Sequence, residues 1–252
     1  MIKFHLKIQN NMITTNLLYI ITGIVIIFNV LIRIFPTTFI DVSFIDSYNS
    51  FFRTIIPINL FTYCDVYLLL LFIVIILFSI GTDFGNSMED ISLAIGGSNT
   101  NKFMVRKLIS LLVLYIIFHM ISFINIYSLY IKLIGHKASL IPFTEIILCS
   151  FSTNIFIISL SLLILFLVRD ITVSITIIAS YYLIEESLWR CKIFKEYGVL
   201  GHLYQYYDYE NGEMIKFKLI YILIAIVLLI ITYKISKRKF SGKAHFIFRG
   251  HK

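Results

Sequence analysis

Two adjacent glutamates at the end of an apolar run are the first residues of this sequence that could do chemistry. Glu185 and Glu186 follow the run 171–184 and stand just before Arg190. Carboxylates can activate water or bind cations, and inside a membrane they are costly unless they face a cavity or a partner. The run before them has only 14 apolar residues, whereas about 20 are needed to cross a bilayer. Either the two acids lie at membrane depth or the helix breaks there, and Glu186 can pair with Arg190 across one helical turn.

Two further polar residues interrupt long apolar stretches. Asp65 lies near the start of the run 61–80, and His119 lies in the middle of the run 108–131. We interpret each first as a buried group that hydrogen-bonds between helices, because polar side chains inside bundles commonly bridge neighbouring helices. The alternative is contact with a substrate. The acidic residues that are candidates for a translocation path are Asp65, Glu185 and Glu186.

A third polar group lies in the segment GTDFGNSMEDISLAIGGSNTNKFMVRK, residues 81–107, between two apolar runs. Ser87 can cap a helix that begins at Met88, and two acids occupy the first turn of that helix, where the helix dipole favours them. A diglycine then ends the helix, since glycine adopts the left-handed cap cheaply. One face of this short helix is apolar, and nothing within the loop buries it. An apolar face rimmed by charge predicts a protein partner.

The elements that must position these residues are membrane-spanning helices. The chain has 252 residues, of which 59% are hydrophobic and 14% are charged, and its mean hydropathy is +0.90. Soluble domains carry about 25% charged residues. We therefore predict an all-α membrane protein that forms a single transmembrane domain, with spans at about 17–35, 61–80, 108–131, 146–168, 171–189 and 217–233.

The distribution of Lys and Arg predicts the orientation of these six spans. Basic residues collect before the first span, between the second and third, and in the tail 234–252. Because such loops face the cytoplasm, both termini are expected there, in a bacterial cell membrane. The net charge of +8 is assigned to this topology and not to nucleic acid. Residues 1–15 have a polar stripe and an apolar remainder, which predicts an interfacial amphipathic helix.

The loop and the layout together resemble the membrane subunit (permease) of an ABC-2-type exporter. The resemblance rests on an acid pair, a short apolar helix, Gly-Gly-Ser, and basic residues leading into a span. In that family the short helix is a cytoplasmic coupling helix that sits in a cleft of the ATPase. The positions of this sequence that match it are Met88, Glu89, Asp90, Leu93, Gly97, Ser98, Lys102 and Lys107.

The resemblance implies a partner and a class of substrate. The sequence contains no G-x-x-x-x-G-K-[ST] motif, so this chain is not expected to be an enzyme and needs no cofactor of its own. ATP and Mg would be bound by a separate P-loop ATPase subunit. The permease would work in the lipid bilayer as a homodimer or a heterodimer. Similar small subunits export bacteriocins or phenol-soluble-modulin-type peptides, so the expected substrates are amphipathic peptides, hydrophobic drugs or lipids.

Two other functions fit some of the same residues. The E-E-x-x-x-R pattern resembles the first motif of CAAX-type intramembrane proteases, in which Glu185 and Glu186 would activate water. The later histidines lack the Phe that this family places four residues before its histidine. An ion-coupled transporter is a further alternative, although the spans contain no ladder of acids. No catalytic residue and no metal ligand are predicted, and the three cysteines have no C-x-x-C spacing.

Overall fold

The computed structural model describes residues 15–40, 54–55, 57–85, 100–134, 139–191, 193, 197–203 and 213–249. These residues are almost entirely helical. The helices are α1 (Thr15–Ile34), α2 (Pro36–Phe39), α3 (Ile58–Phe61), a π-helix (Thr62–Leu68), α4 (Leu69–Gly85), α5 (Thr100–Ile134), α6 (Phe143–Val168), α7 (Ile171–Arg190), a 3-10 turn (Gly201–Leu203) and α8 (Glu213–Arg249). Two short strands, β1 (Thr54–Ile55) and β2 (Ser139–Leu140), pair in parallel.

Five helical stretches within the described residues are long and apolar enough to cross a membrane. They are Ile58–Gly81, Leu108–Ile134, Phe143–Val168, Ile171–Arg190 and Met214–Ser236. The apolar part of α1 is shorter and covers Tyr19–Ile34. The chain is therefore a helical multi-pass membrane protein, as the composition predicts. The sixth span and the side of each terminus stay predictions, and the predicted interfacial helix at 1–15 lies outside the described residues except for Thr15.

Helix α7 is continuous through the two glutamates. Of the two alternatives left open by its short apolar run, the structure therefore excludes a break of the helix at these acids. Its start is fixed by Asp170, whose carboxylate accepts a hydrogen bond from the Val173 N–H at 2.8 Å. Arg169 adopts a positive φ of 62° and closes the two-residue link from α6. The helix then runs without a break to Arg190, so both acids lie on a regular helix.

Helix α6 lies at the centre of the bundle. This helix and the stretch Ile58–Gly81 are the most buried of the candidate spans, at 61% and 67% of their most apolar parts, compared with 17% for α7 and for α8. Many of its buried residues are small and polar, which lets neighbouring backbones approach closely. One of them, Ser152, donates a hydrogen bond to the backbone oxygen of Lys218 on α8 at 2.7 Å.

The two ends of the bundle differ in character. At one end a Cβ built on Gly81 of α4 would clash with the Ile171 Cγ1 atom and lie 3.4 Å from Leu165 Cδ1, so α4, α6 and α7 meet there through apolar contacts. Glycine permits this close approach because it has no side chain. The buried carboxylates, Asp65 just before α4 and Glu185 near the end of α7, lie toward the opposite end.

Candidate functional site

Asp65 lies in the middle of the π-helix and is completely buried. Its Oδ1 atom accepts hydrogen bonds from Ser150 Oγ at 2.5 Å and from Asn154 Nδ2 at 3.1 Å. Its backbone oxygen accepts a hydrogen bond from Tyr182 Oη at 3.2 Å. π-Helices are rare and often occur at functional sites. Here the π-helix presents a carboxylate to side chains from α6 and a backbone oxygen to Tyr182 of α7.

Lys218 is the cation of this interior and is only 1% exposed. Its Nζ atom contacts Thr153 Oγ1 at 2.9 Å and the Val199 backbone oxygen at 2.5 Å. It also lies 2.9 Å from His202 Nδ1. An ammonium group has three donors and no acceptor, so all three donors are used and His202 Nδ1 must accept.

The hydrogen-bonding capacity of Lys218 also determines the tautomer of His202. Because Nδ1 accepts, the proton of the neutral ring is on Nε2, which lies 2.8 Å from Asp65 Oδ2 and donates to it. Burial, and after it the nearby Lys218 ammonium, lower the pKa of His202 from 6.5 to about 4. The imidazole is therefore neutral at pH 7 and links an ammonium to a carboxylate.

Glu185 joins the same network from α7 and is 2% exposed. Its Oε1 atom accepts a hydrogen bond from the Leu200 N–H at 2.5 Å. The Val199 oxygen and the Leu200 N–H belong to one peptide group, so this group connects Glu185 to Lys218. A Cβ at Gly198 would lie 2.6 Å from Glu185 Oε1, and the absence of a side chain there lets the segment approach the carboxylate.

His119 lies at the other end of the network on α5. Its Nε2 atom is 2.9 Å from Ser150 Oγ, 3.1 Å from Asn154 Nδ2 and 3.6 Å from Asp65 Oδ1. A nucleophilic triad needs a histidine that contacts serine through one ring nitrogen and aspartate through the other. Here one nitrogen faces both groups, and Ser150 donates directly to Asp65. The arrangement is a cluster of helix-bridging hydrogen bonds and not a triad.

Glu186 faces different surroundings from those of Glu185. Its side chain is 45% exposed and its Oε1 atom lies 2.7 Å from Arg190 Nη2. Successive residues on an α-helix point about 100° apart, so one acid enters the bundle and the next stays at its surface. The structure thus brings two of the three predicted path residues, Asp65 and Glu185, into one network and leaves Glu186 outside it.

The predicted coupling residues are not part of this network. Lys102 and Lys107 lie on the first turns of α5. The other positions lie outside the described residues: Met88, Glu89, Asp90, Leu93, Gly97 and Ser98.

Sequence reasoning missed most of the partners of Asp65 and Glu185. Lys218 did carry a signal, because it is a single charge within the apolar stretch assigned to the last span. His202 lies in a loop between spans and gave no signal of burial. The small polar residues of α6, which are Ser150, Thr153 and Asn154, resemble ordinary helix-packing residues in the sequence.

The fold and the network together define the class of this protein. It is a multi-pass helical membrane protein that buries two carboxylates, an imidazole and an ammonium between its helices. Within the described ranges, no three His, Cys, Asp or Glu side chains are arranged to hold a metal ion. Comparison of the chain with models of known families, with curated proteins and with solved structures gave no match.

Proposed function

We propose that this chain is the transmembrane subunit of an ATP-binding-cassette exporter of the ABC-2 type. It would move amphipathic peptides, hydrophobic drugs or lipids out of a bacterial cell by alternating access. The observation that carries the proposal is the segment between α4 and α5, whose sequence predicts a capped helix with an unburied apolar face and a basic approach to the next span.

The positions of the flanking helices support this assignment. α4 ends at Gly85 and α5 begins at Thr100, so the segment connects two helices that are long enough to span a membrane. Helix–helix connections in bundles usually have about 2–8 residues, and this one is longer. It leaves the bundle at the apolar end, near Gly81 and away from the charged network. A loop of this size at one end of a bundle suits a docking role.

The proposal assigns ATP and Mg to a partner subunit with a P-loop, because the printed sequence contains no such motif. Two copies of this chain, or this chain and a second permease, would form the translocation path. Closure of the ATPases on ATP would push the coupling helix, and the attached spans would tilt. The chain itself would then carry no catalytic residue.

A second candidate function is an ion-coupled transporter. The observation that favours it is the buried chain from Asp65 through His202 to Lys218, because ionisable residues inside membranes often lie on ion or proton pathways. Reconstituted vesicles separate the two functions. An exporter of the first kind moves its cargo with ATP and its partner subunit, whereas the second kind moves cargo with an ion gradient alone.

Reversal of the acid pair in the loop tests the first proposal. The double variant Glu89→Lys and Asp90→Lys is reconstituted with the P-loop ATPase that co-purifies with the chain. Basal ATP hydrolysis is expected to persist while ATP-driven transport is lost, since the docking face changes the sign of its charge and the spans are untouched. Glu145→Lys, a charge reversal at the start of α6, serves as the control and keeps transport.

Two results would contradict the proposal. One is unchanged coupling in the double variant, which would show that the loop does not dock an ATPase. The other is the failure of any P-loop protein to co-purify with the full chain from its own host.

A further inference from the structure

The buried network contains more carboxylates than ammonium groups. Asp65 and Glu185 are both carboxylates and are 0% and 2% exposed, whereas Lys218 is the one buried ammonium among the described residues. His202 is neutral at pH 7. Buried ions are stable only when they are paired and hydrogen-bonded. With both carboxylates ionised, Lys218 compensates one negative charge, and the other ring next to the network is that of His119, whose Nε2 atom lies 3.6 Å from Asp65 Oδ1.

Some buried polar atoms of the interior also lack a well-formed hydrogen bond. The described side chains have three buried polar atoms without a hydrogen bond of normal geometry, namely Tyr115 Oη, Asn154 Oδ1 and Glu185 Oε2. The Tyr181 hydroxyl on the same helix also interacts with the Glu185 carboxyl. Asn154 Oδ1 and the carboxylate oxygen of Glu185 can only accept. Tyr115 Oη can donate as well as accept, so the atoms that lack a well-placed donor are Asn154 Oδ1, beside Asp65, and Glu185 Oε2 at the other carboxylate. A cationic donor at Glu185 Oε2 would supply that atom with both a hydrogen bond and a positive charge.

We propose that this network is a binding site for a cationic group of the exported molecule, and that Glu185 Oε2 is the atom that receives it. The proposal rests on the proposed export function and specifies its substrate class as amphipathic molecules with a primary ammonium, such as lysine-bearing peptides. A primary ammonium provides a full charge and three N–H donors.

The protein's own chain contains the same chemical groups as such a molecule. The network already holds an ammonium, that of Lys218, and a peptide group, that between Val199 and Leu200, between its two carboxylates. A lysine-bearing peptide presents the same two groups. The network therefore already uses the donors and acceptors that recognition of such a peptide needs.

Access to Glu185 depends on the segment 197–203. This segment places Gly198 directly against the carboxylate, and Tyr197 beside it is exposed. Tyr221 of α8 donates a hydrogen bond to the Tyr197 backbone oxygen. α7 ends at Arg190, only five residues beyond Glu185, so displacement of this one segment would open the site toward the end of the bundle.

The single tryptophan of the chain provides the assay. Trp189 lies four residues after Glu185 on α7, so the two side chains share a helix face. The full chain is placed in lipid nanodiscs and titrated with a nitroxide-labelled alkylammonium, which quenches tryptophan fluorescence on contact. A nitroxide-labelled alkylsulfonate of the same chain length reports on simple partition into lipid.

The wild-type chain is expected to show saturable quenching by the alkylammonium and only gradual, non-saturable quenching by the sulfonate. Glu185→Gln keeps the shape of the side chain but removes its charge, and it should weaken binding by about tenfold or more. Glu185→Asp restores the charge and should recover part of the affinity. Glu145→Gln removes a carboxylate elsewhere and should leave the affinity unchanged.

Three results would overturn the site. They are equal affinity in Glu185→Gln and the wild type, equal saturable quenching by the sulfonate, and no saturable quenching of the wild type by either probe. The first would show that the position is already neutral, as it would be if a proton occupied it. The wild-type comparison of the two probes stands even if the Gln variant does not fold.

Failure of the site and failure of the export proposal are separable, because the titration needs no ATPase. Saturable ammonium binding by a chain that recruits no ATPase would contradict the exporter and keep the site. ATP-driven transport together with equal quenching by both probes would contradict the site and keep the exporter.

Discussion

Replacement of Lys218 by methionine is the most direct test of the buried network. Methionine keeps a long apolar side chain but removes the ammonium. Three contacts of the Nζ atom are then lost, those with Thr153 Oγ1, the Val199 oxygen and His202 Nδ1. The Val199 oxygen keeps its hydrogen bond from Thr153 Oγ1, so the losses at Thr153 and His202 weigh most. The carboxylates of the network also lose their only buried cation among the described residues. The variant should therefore be much less stable than the wild type.

The expected loss can be bounded from two directions. Polar contacts between membrane helices contribute about 0.6 kcal/mol each on average, so three lost contacts give roughly 2 kcal/mol. Removal of one partner from a buried ion pair costs about 3–5 kcal/mol, because an unpaired charge remains. Lys218→Met is thus expected to lower the free energy of unfolding by about 2–5 kcal/mol. Combination with Asp65→Asn should cost less than the sum of the two single changes, by about 1–3 kcal/mol.

Reversible unfolding in mixed micelles measures these free energies, with Trp189 fluorescence and far-UV circular dichroism as probes. Lys216→Met is the matched control, since Lys216 is exposed on the same helix and its loss should change stability by less than about 0.5 kcal/mol. The reasoning is refuted if Lys218→Met is as stable as the control. Strict additivity with Asp65→Asn would refute the coupling through His202.

Two other changes probe the segment that covers Glu185. Gly198→Ala would place a Cβ 2.6 Å from Glu185 Oε1, so it should lower the free energy of unfolding by about 1–3 kcal/mol. The control is Gly23→Ala on α1, where a Cβ would have nothing within 4 Å. In the same unfolding assay this control should be neutral or slightly stabilising. The contribution of His202 to stability should fall on acidification, because burial, and then Lys218, lower its pKa from 6.5 to about 4. Between these pH values the unfolded chain binds a proton at His202 that the folded chain excludes. The loss as pH falls through this interval should be at most about 3 kcal/mol, and a pH titration of unfolding should show that His202→Gln removes it.

The length and the position of the apolar runs determined the class of protein and most of its helices. The run predicted at 146–168 is α6 (Phe143–Val168), and the run predicted at 171–189 is α7 (Ile171–Arg190). Such runs are readable because a membrane leaves every backbone group to be satisfied within its own helix. The run at 108–131 belongs to a longer helix, Thr100–Ile134, since hydropathy marks the apolar span and not the end of the helix.

Only the tertiary structure decided what the polar residues do. Asp65 and His202 contact each other across 137 positions of sequence, and no local pattern encodes such a pair. Glu185 and Glu186 are adjacent in the sequence, yet one is buried against Leu200 and the other pairs with Arg190 at the surface. The sequence identified Glu185 as a costly acid near the end of a span. Whether this carboxylate is stabilised depends on which segment packs against it. The free energy of a buried carboxylate is determined by the donors and charges that packing brings within a few ångströms.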